Sequence, residues 1–304
     1  MRPLSVAVVL GSICAIVVPA RAVSPQSAPA QTPQRPPVFR MNVDAVRVDV
    51  LAVDKGKPIA GLTPDDFDVR DNGVPQKVDL ATLADHVSVV IALDIRQNPQ
   101  WPQPNKELIQ ASRILSDALK PADRAWLVTF AQTFDLKVGP TSDPQVIRTA
   151  LDRVKLSTGK TMWDAIFASM TLVAGLDGRS LVIVFSDGQD PFFKAGWLDE
   201  KRSLDLLKRG EITVNAVQPR SVVASPTALE RAARATGGMV LEAERNAHLA
   251  EQFTQLLDEF RLGYILTFTP QGVPTNDGWH KLSVKLKNRP GKVTAKEGYY
   301  AGMK

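Results

Sequence analysis

Two aspartates in this chain stand where an apolar strand gives out. Asp94 follows the apolar residues 89–93 in "VVIALDIRQN", and Asp187 closely follows residues 181–185 in "SLVIVFSDG". Between them, "STGKTMWDA" is a polar loop running into an apolar helix, with Thr161 at the junction. In a doubly wound sheet the ligand site lies outside the carboxyl ends of the strands, where two such carboxylates would be delivered. Two carboxylates and a hydroxyl make an oxygen-only donor set, which suits a hard divalent cation such as Mg²⁺ and offers nothing soft to zinc or copper. Arg96 and Asn98 follow Asp94 at the same end, one bringing a permanent positive charge and the other an amide oxygen. The plainer use of Asp94 is to cap a turn, a common task for aspartate.

The elements needed to position these residues can be read from the hydrophobic rhythm of residues 86–263. Strands at 87–93, 125–131, 180–188, 212–218 and 239–242 alternate with helices at 105–120, 145–154, 197–209, 226–236 and 246–261, and an apolar helix follows Thr161. Leu108, Ala111, Leu115 and Leu119 form one stripe of the first helix, and Gly263 is the expected C-cap of the last. Strands separated by single helices imply right-handed crossovers and a mostly parallel, doubly wound α/β sheet.

Both flanks read as β. In residues 38–85, Val46, Val48 and Val50 alternate with Arg47 and Asp49, while Met41, Val43 and Ala45 run in the opposite phase, which predicts a bulge near Ala45-Val46. Thr63, Pro64 and Asp66 read as a capping-box turn, and Asn72-Gly73 as a hairpin. Three or four strands are expected there. Three more are expected in residues 264–304, "YILTFTP", "HKLSVKLK" and "KVTAKEGYY", with Asn276-Asp277-Gly278 turning between the first two. Neither flank is long enough to bury a good core alone. The two together predict one β-sandwich, with the α/β domain inserted into it.

Ahead of this, residues 1–22 read as a secretory signal peptide: Arg2, an apolar run too short to span a bilayer, and Ala20-Arg21-Ala22 as a cleavage site. Residues 23–37, "VSPQSAPAQTPQRPP", read as a Pro-rich disordered linker. The mature chain is then expected to be secreted or periplasmic, with no transmembrane segment. Cys14, the only cysteine, lies in the leader, so thiol catalysis and cysteine-zinc sites drop out. The net charge of +5 falls by two when Arg2 and Arg21 leave, and the remainder is evenly spread, which does not suggest nucleic acid.

Taken together, "SVVIALDIRQN", "TGKTMWDAI" and "LVIVFSDGQD" resemble, in order, the three segments of a von Willebrand factor A domain's metal-ion-dependent adhesion site. The flanks, "VDVLAVDKGKPIAGLTPDDFDVRDNGVPQKV" and "KEGYYAG", look like the bacterial exported VWFA-related family. The resemblance implies an A-type fold and a protein- or peptide-binding role in adhesion or assembly, without enzymatic activity. It also implies that Asp94, Thr161 and Asp187 hold three of that site's ligand positions. The family's first-strand motif is Asp-x-Ser-x-Ser, and here Arg96 and Asn98 stand in place of the two serines. The site is therefore degenerate. In one reading the Arg96 guanidinium takes the cation's place against Asp94 or Asp187. In the other Arg96 swings out, and Mg²⁺ binds weakly through Asp94, Asn98, Thr161 and Asp187. The loss of two hydroxyls and the gain of a charge favour the first, and no cofactor is then expected.

Other signals carry less. "STGKT" lacks the early glycine and the preceding strand of a phosphate loop, which argues against nucleotide binding. His86, His248 and His280 are scattered, and no serine lies in a nucleophile elbow. Trp101 in "NPQWPQPN", and Phe192, Phe193 and Trp197 in "DPFFKAGW", put aromatic loops at the same edge as Asp94 and Asp187. Trp101 joins Asp94, Arg96, Asn98, Thr161 and Asp187 as an expected binding residue, since tryptophan anchors are favoured at interface centres. The alternative function is a structural scaffold of the cell envelope with an inert site.

Overall fold

The structure, a computed structural model, describes residues 45–84, 86–97, 104–159, 161–188, 197–210, 212–219, 227–243, 246–274 and 278–301. The expected leader, the linker, Met41 and Val43 lie outside these residues. So do Asn98, Trp101, Phe192, Phe193 and the Asn276-Asp277 turn.

The N-terminal flank forms β1 (Val46–Asp54), β2 (Lys57–Pro58), a 3₁₀ turn, β3 (Phe67–Asp71), β4 (Val74–Gln76) and β5 (Val78–Leu83), five strands where three or four are expected. The 3₁₀ turn over Pro64–Asp66 has the capping box read from Thr63 and Asp66. Asn72 and Gly73 take positive φ angles of 47° and 85° and join β3 to β4 as a tight hairpin.

The central segment forms β6 (Val87–Asp94), α1 (Pro104–Asp117), β7 (Arg124–Phe130), β8 (Phe134–Thr141), α2 (Pro144–Asp152), α3 (Met162–Val173), β9 (Arg179–Phe185), α4 (Glu200–Arg209), β10 (Thr213–Gln218), α5 (Ala228–Ala235), β11 (Val240–Glu242) and α6 (Asn246–Arg261). They make one six-stranded sheet in the order β11-β10-β9-β6-β7-β8. All its pairings are parallel except β7–β8, which is antiparallel and was not expected. Every residue of β6 and β9 is buried. Val87, Val89, Ile91 and Leu93 pack in one apolar cluster with residues of α1 and α6, and Val90 and Ala92 in another with residues of α3 and α5. Helices on both faces explain why these strands read as continuous apolar runs.

The C-terminal flank forms β12 (Tyr264–Phe268), β13 (Gly278–Leu286), β14 (Lys292–Ala295) and β15 (Gly298–Ala301). The expected last strand is thus two. They part at Lys296-Glu297 and join different sheets, β14 pairing with β1 and β15 with β13. The resulting sheets run β14-β1-β12-β5, with β2 on β1, and β15-β13-β3-β4. Each draws strands from both flanks. Val48, Val50, Phe67, Val69, Leu266, Phe268, Leu282 and Tyr299 lie in one shared apolar cluster between them.

Buried charges tie these sheets to the base of the α/β sheet. Arg179, at the start of β9, pairs with Asp49 of β1 at 3.3 Å and lies over the Phe260 ring at 4.3 Å. Gly263 does not take the left-handed conformation expected of a C-cap. A Cβ there would collide with the Arg179 guanidinium, so the residue is small because a side chain passes it.

Candidate functional site

Asp94 and Asp187 arrive together because β6 and β9 are neighbours in parallel register, Leu93 opposite Phe185. Asp94 is 3% exposed. Its Oδ1 accepts the Arg96 backbone N–H at 2.9 Å, the turn-capping use common for aspartate. Its Oδ2 accepts the Ser186 hydroxyl at 2.7 Å, and Ser186 Oγ in turn accepts the Gly188 N–H at 3.2 Å.

Arg96 lies across this cluster. Its backbone is fixed by a bridge to Ser157: the Gln97 N–H donates to Ser157 O at 2.7 Å, and the Ser157 N–H to Ile95 O at 2.9 Å. The guanidinium Nη2 donates to Asp187 Oδ2, with the two side chains only 15% and 8% exposed. Arg96 is thus turned inward, toward the carboxylates.

Thr161 is buried at the head of α3, and its hydroxyl donates to Ala131 O at 3.2 Å rather than capping the helix. Asn98 and Trp101, the other two expected members, lie outside the described residues. Ser186 was not foreseen, since a serine before Asp-Gly reads as turn chemistry. Asp164 was not foreseen either. Its carboxylate accepts the backbone N–H groups of Trp197, at 2.9 Å, and Leu198, at 3.1 Å. That anchors Trp197 one helical turn from Thr161, and its side chain is 95% exposed.

Gly188 closes the cluster with φ +66°, and a Cβ would lie 2.7 Å from Thr227 Oγ1 and 2.6 Å from Gln218 Nε2. Those two side chains hold each other at 2.7 Å, so the Asp187-Gly188 turn is packed from below.

These residues do not fit a divalent cation in the arrangement seen. Both Asp94 oxygens accept protein hydrogen bonds, and Asp187 faces a guanidinium. A dication about 4 Å from that guanidinium would cost roughly 8 kcal/mol at an effective dielectric of 20. Among the described residues no three His, Cys, Asp or Glu side chains converge to hold a metal.

A mostly parallel sheet covered by helices on both faces, with a charged cluster at its carboxyl ends, defines a doubly wound α/β fold. Comparison with solved structures narrows it to the von Willebrand factor A fold. A von Willebrand factor type A protein from Catenulispora acidiphila superimposes with a TM-score of 0.51 and 15% identity, over 83% of this chain and 75% of that one. BatB from Bacteroides thetaiotaomicron matches 57% of this chain and 98% of its own at 18% identity, TM-score 0.44. Proximal thread matrix protein 1 of the mussel byssus, with a zinc-occupied MIDAS motif, matches 61% of this chain and 48% of its own at 14% identity, TM-score 0.46. No family model and no curated protein matches the chain. The resemblance carried by three short segments and the likeness in fold agree: this chain is similar to von Willebrand factor A proteins.

Proposed function

We propose that the protein is an exported, non-enzymatic binding module whose adhesion site carries its own cation. In this reading a β-sandwich built from residues 38–85 and 264–304 holds out an A-type domain, residues 86–263, and that domain binds a protein or peptide. The face around Asp94, Arg96, Asn98, Trp101, Thr161 and Asp187 makes the contact, with Trp197 at its rim. Among the described residues no helix is long and apolar enough to cross a membrane.

The observation that carries the reading is the Arg96 guanidinium held against Asp187, with the Arg96 backbone on Asp94. A fixed guanidinium neutralises a carboxylate and ties it to the loop, as a metal would, without needing one. Binding is then independent of dications.

Calorimetric titration of Mg²⁺ and Mn²⁺ into residues 23–304 tests this, beside an Arg96→Ser, Asn98→Ser double variant. A silent wild type and a binding variant are expected. Heat of binding from the wild type would mean that Arg96 yields to the metal, and the built-in-cation reading would fail.

A further inference from the structure

A cleft of about 1040 Å³ opens at the other end of the α/β sheet from Asp94. It lies between Arg47, Asp49 and Leu51 on one face of β1 and the starts of β9 and β10, with the last turns of α4 and α5 along one side. Six cationic side chains line it against three acidic ones. Arg179 and Arg47 share Asp49, and Arg231 pairs with Glu200. Lys208 and Arg234 line the cleft from exposed positions, and neither has an ion-pair partner among the described residues. A cation in a last helical turn is favoured by the helix dipole, which explains each one singly. It does not explain two uncompensated cations sharing one cleft.

We propose that this cleft receives an extended acidic peptide segment of a partner protein. Its volume is at the upper limit of small-molecule sites, which run to about 1,000 Å³. The mouth carries Trp279 and Met239, 41% and 40% exposed, and Tyr300, stacked edge-on against Trp279 at 5.1 Å. Tryptophan, tyrosine, methionine and arginine are the side chains enriched where proteins meet. β14 and β15 each end the order of their sheet, and residues 294–298, which run from the end of one to the start of the other, line the cleft. Strand edges are where an extended main chain can add its own hydrogen bonds. The chain's own N-terminal segment is a poor occupant: residues 23–44 carry Arg35 and Arg40 against Asp44 alone.

The test is fluorescence anisotropy of a fluorescein-labelled (Glu-Leu)₄ peptide with residues 23–304, a (Lys-Leu)₄ peptide serving as control. Saturable binding of the acidic peptide alone is expected. It should weaken at least tenfold in Lys208→Glu, Arg234→Glu and stay unchanged in Lys77→Glu, Lys137→Glu, which makes the same charge change elsewhere. All four lysines and arginines are exposed, and circular-dichroism melts verify that each variant folds. No saturable binding at millimolar peptide, or equal weakening in the two double variants, overturns the proposal. So does a heparin hexasaccharide that binds through Lys208 and Arg234 where the peptide does not. The result does not depend on Arg96, so this proposal and the adhesion-site reading stand or fall separately.

Discussion

Replacing Arg96 by serine removes the charge facing Asp187 and leaves two buried carboxylates side by side. Taking one partner from a buried ion pair costs about 3–5 kcal/mol, because the other charge stays desolvated. The pair qualifies as buried, with side chains 15% and 8% exposed. Asp94 keeps the Ser186 hydroxyl and the backbone N–H of position 96, so the loss falls mainly on Asp187. We therefore expect the lower end, about 3 kcal/mol. At about 2–4 °C per kcal/mol for a domain of this size, the melting temperature should fall by about 6–12 °C in EDTA.

The same substitution restores the first serine of the adhesion motif and removes the charge that repels a dication. A ligand present at a hundred times its dissociation constant stabilises by about 2.7 kcal/mol, so Mg²⁺ should return most of the loss. Thermal melts of wild type and variant in EDTA and in saturating MgCl₂ measure both halves. If the variant melts with the wild type in EDTA, the guanidinium compensates nothing. If Mg²⁺ raises both proteins equally, Arg96 does not hold the cation's place.

Arg179→Met leaves Asp49 with only its 3.4 Å contact to Arg47, so the cost in urea unfolding should sit at the lower end of a broken buried pair, about 3 kcal/mol. Tyr299→Phe removes a 2.6 Å hydrogen bond to the buried carboxylate of Asp71 and should cost about 1–3 kcal/mol at neutral pH. Burial, then the Asp71 hydrogen bond, pushes the Tyr299 phenol well above its usual range. Its raised folded pKa means that this stability is complete below about pH 10 and drains away above it, so the variant should lose stability less steeply in alkali. Trp197→Ala should change stability by less than about 0.5 kcal/mol, since the side chain is 95% exposed, yet weaken partner capture at least tenfold in surface plasmon resonance.

Much of the positioning was legible because β6 and β9 are buried on both faces, and a run of apolar residues bounded by a carboxylate marks such a strand's end. What the Arg96 side chain does at that end was not legible. Both orientations satisfy the sequence, and the choice depends on Ser157 pinning the backbone on either side of it. β8 escaped notice for a different reason. "FDLKVGPT" does alternate Phe134, Leu136 and Val138 with Asp135 and Lys137, but only Val138 is buried, so the strand period is present without the buried face that the neighbouring strands have. The cluster of Asp71, His280 and Tyr299 unites residues 209 and 228 positions apart through pairing of β13 with both β3 and β15. Periodicity shows that these are strands, but not which strands are neighbours.

The inward turn of Arg96 also bears on what the carboxyl-end face can recognise. A bound dication with an open coordination position attracts an acidic group from a partner. A guanidinium only 15% exposed and already donating to Asp187 has little charge left to offer outward. An acidic partner would approach two carboxylates and gain little. Recognition there should rest instead on apolar contact with Trp197, whose backbone N–H, like that of Leu198, is held by Asp164 while its side chain stands exposed. The proposed acidic segment belongs at the opposite end of the sheet, where Lys208 and Arg234 have no ion-pair partner among the described residues. In that arrangement one end of the fold serves apolar capture and the other charge, and salt should weaken only the second.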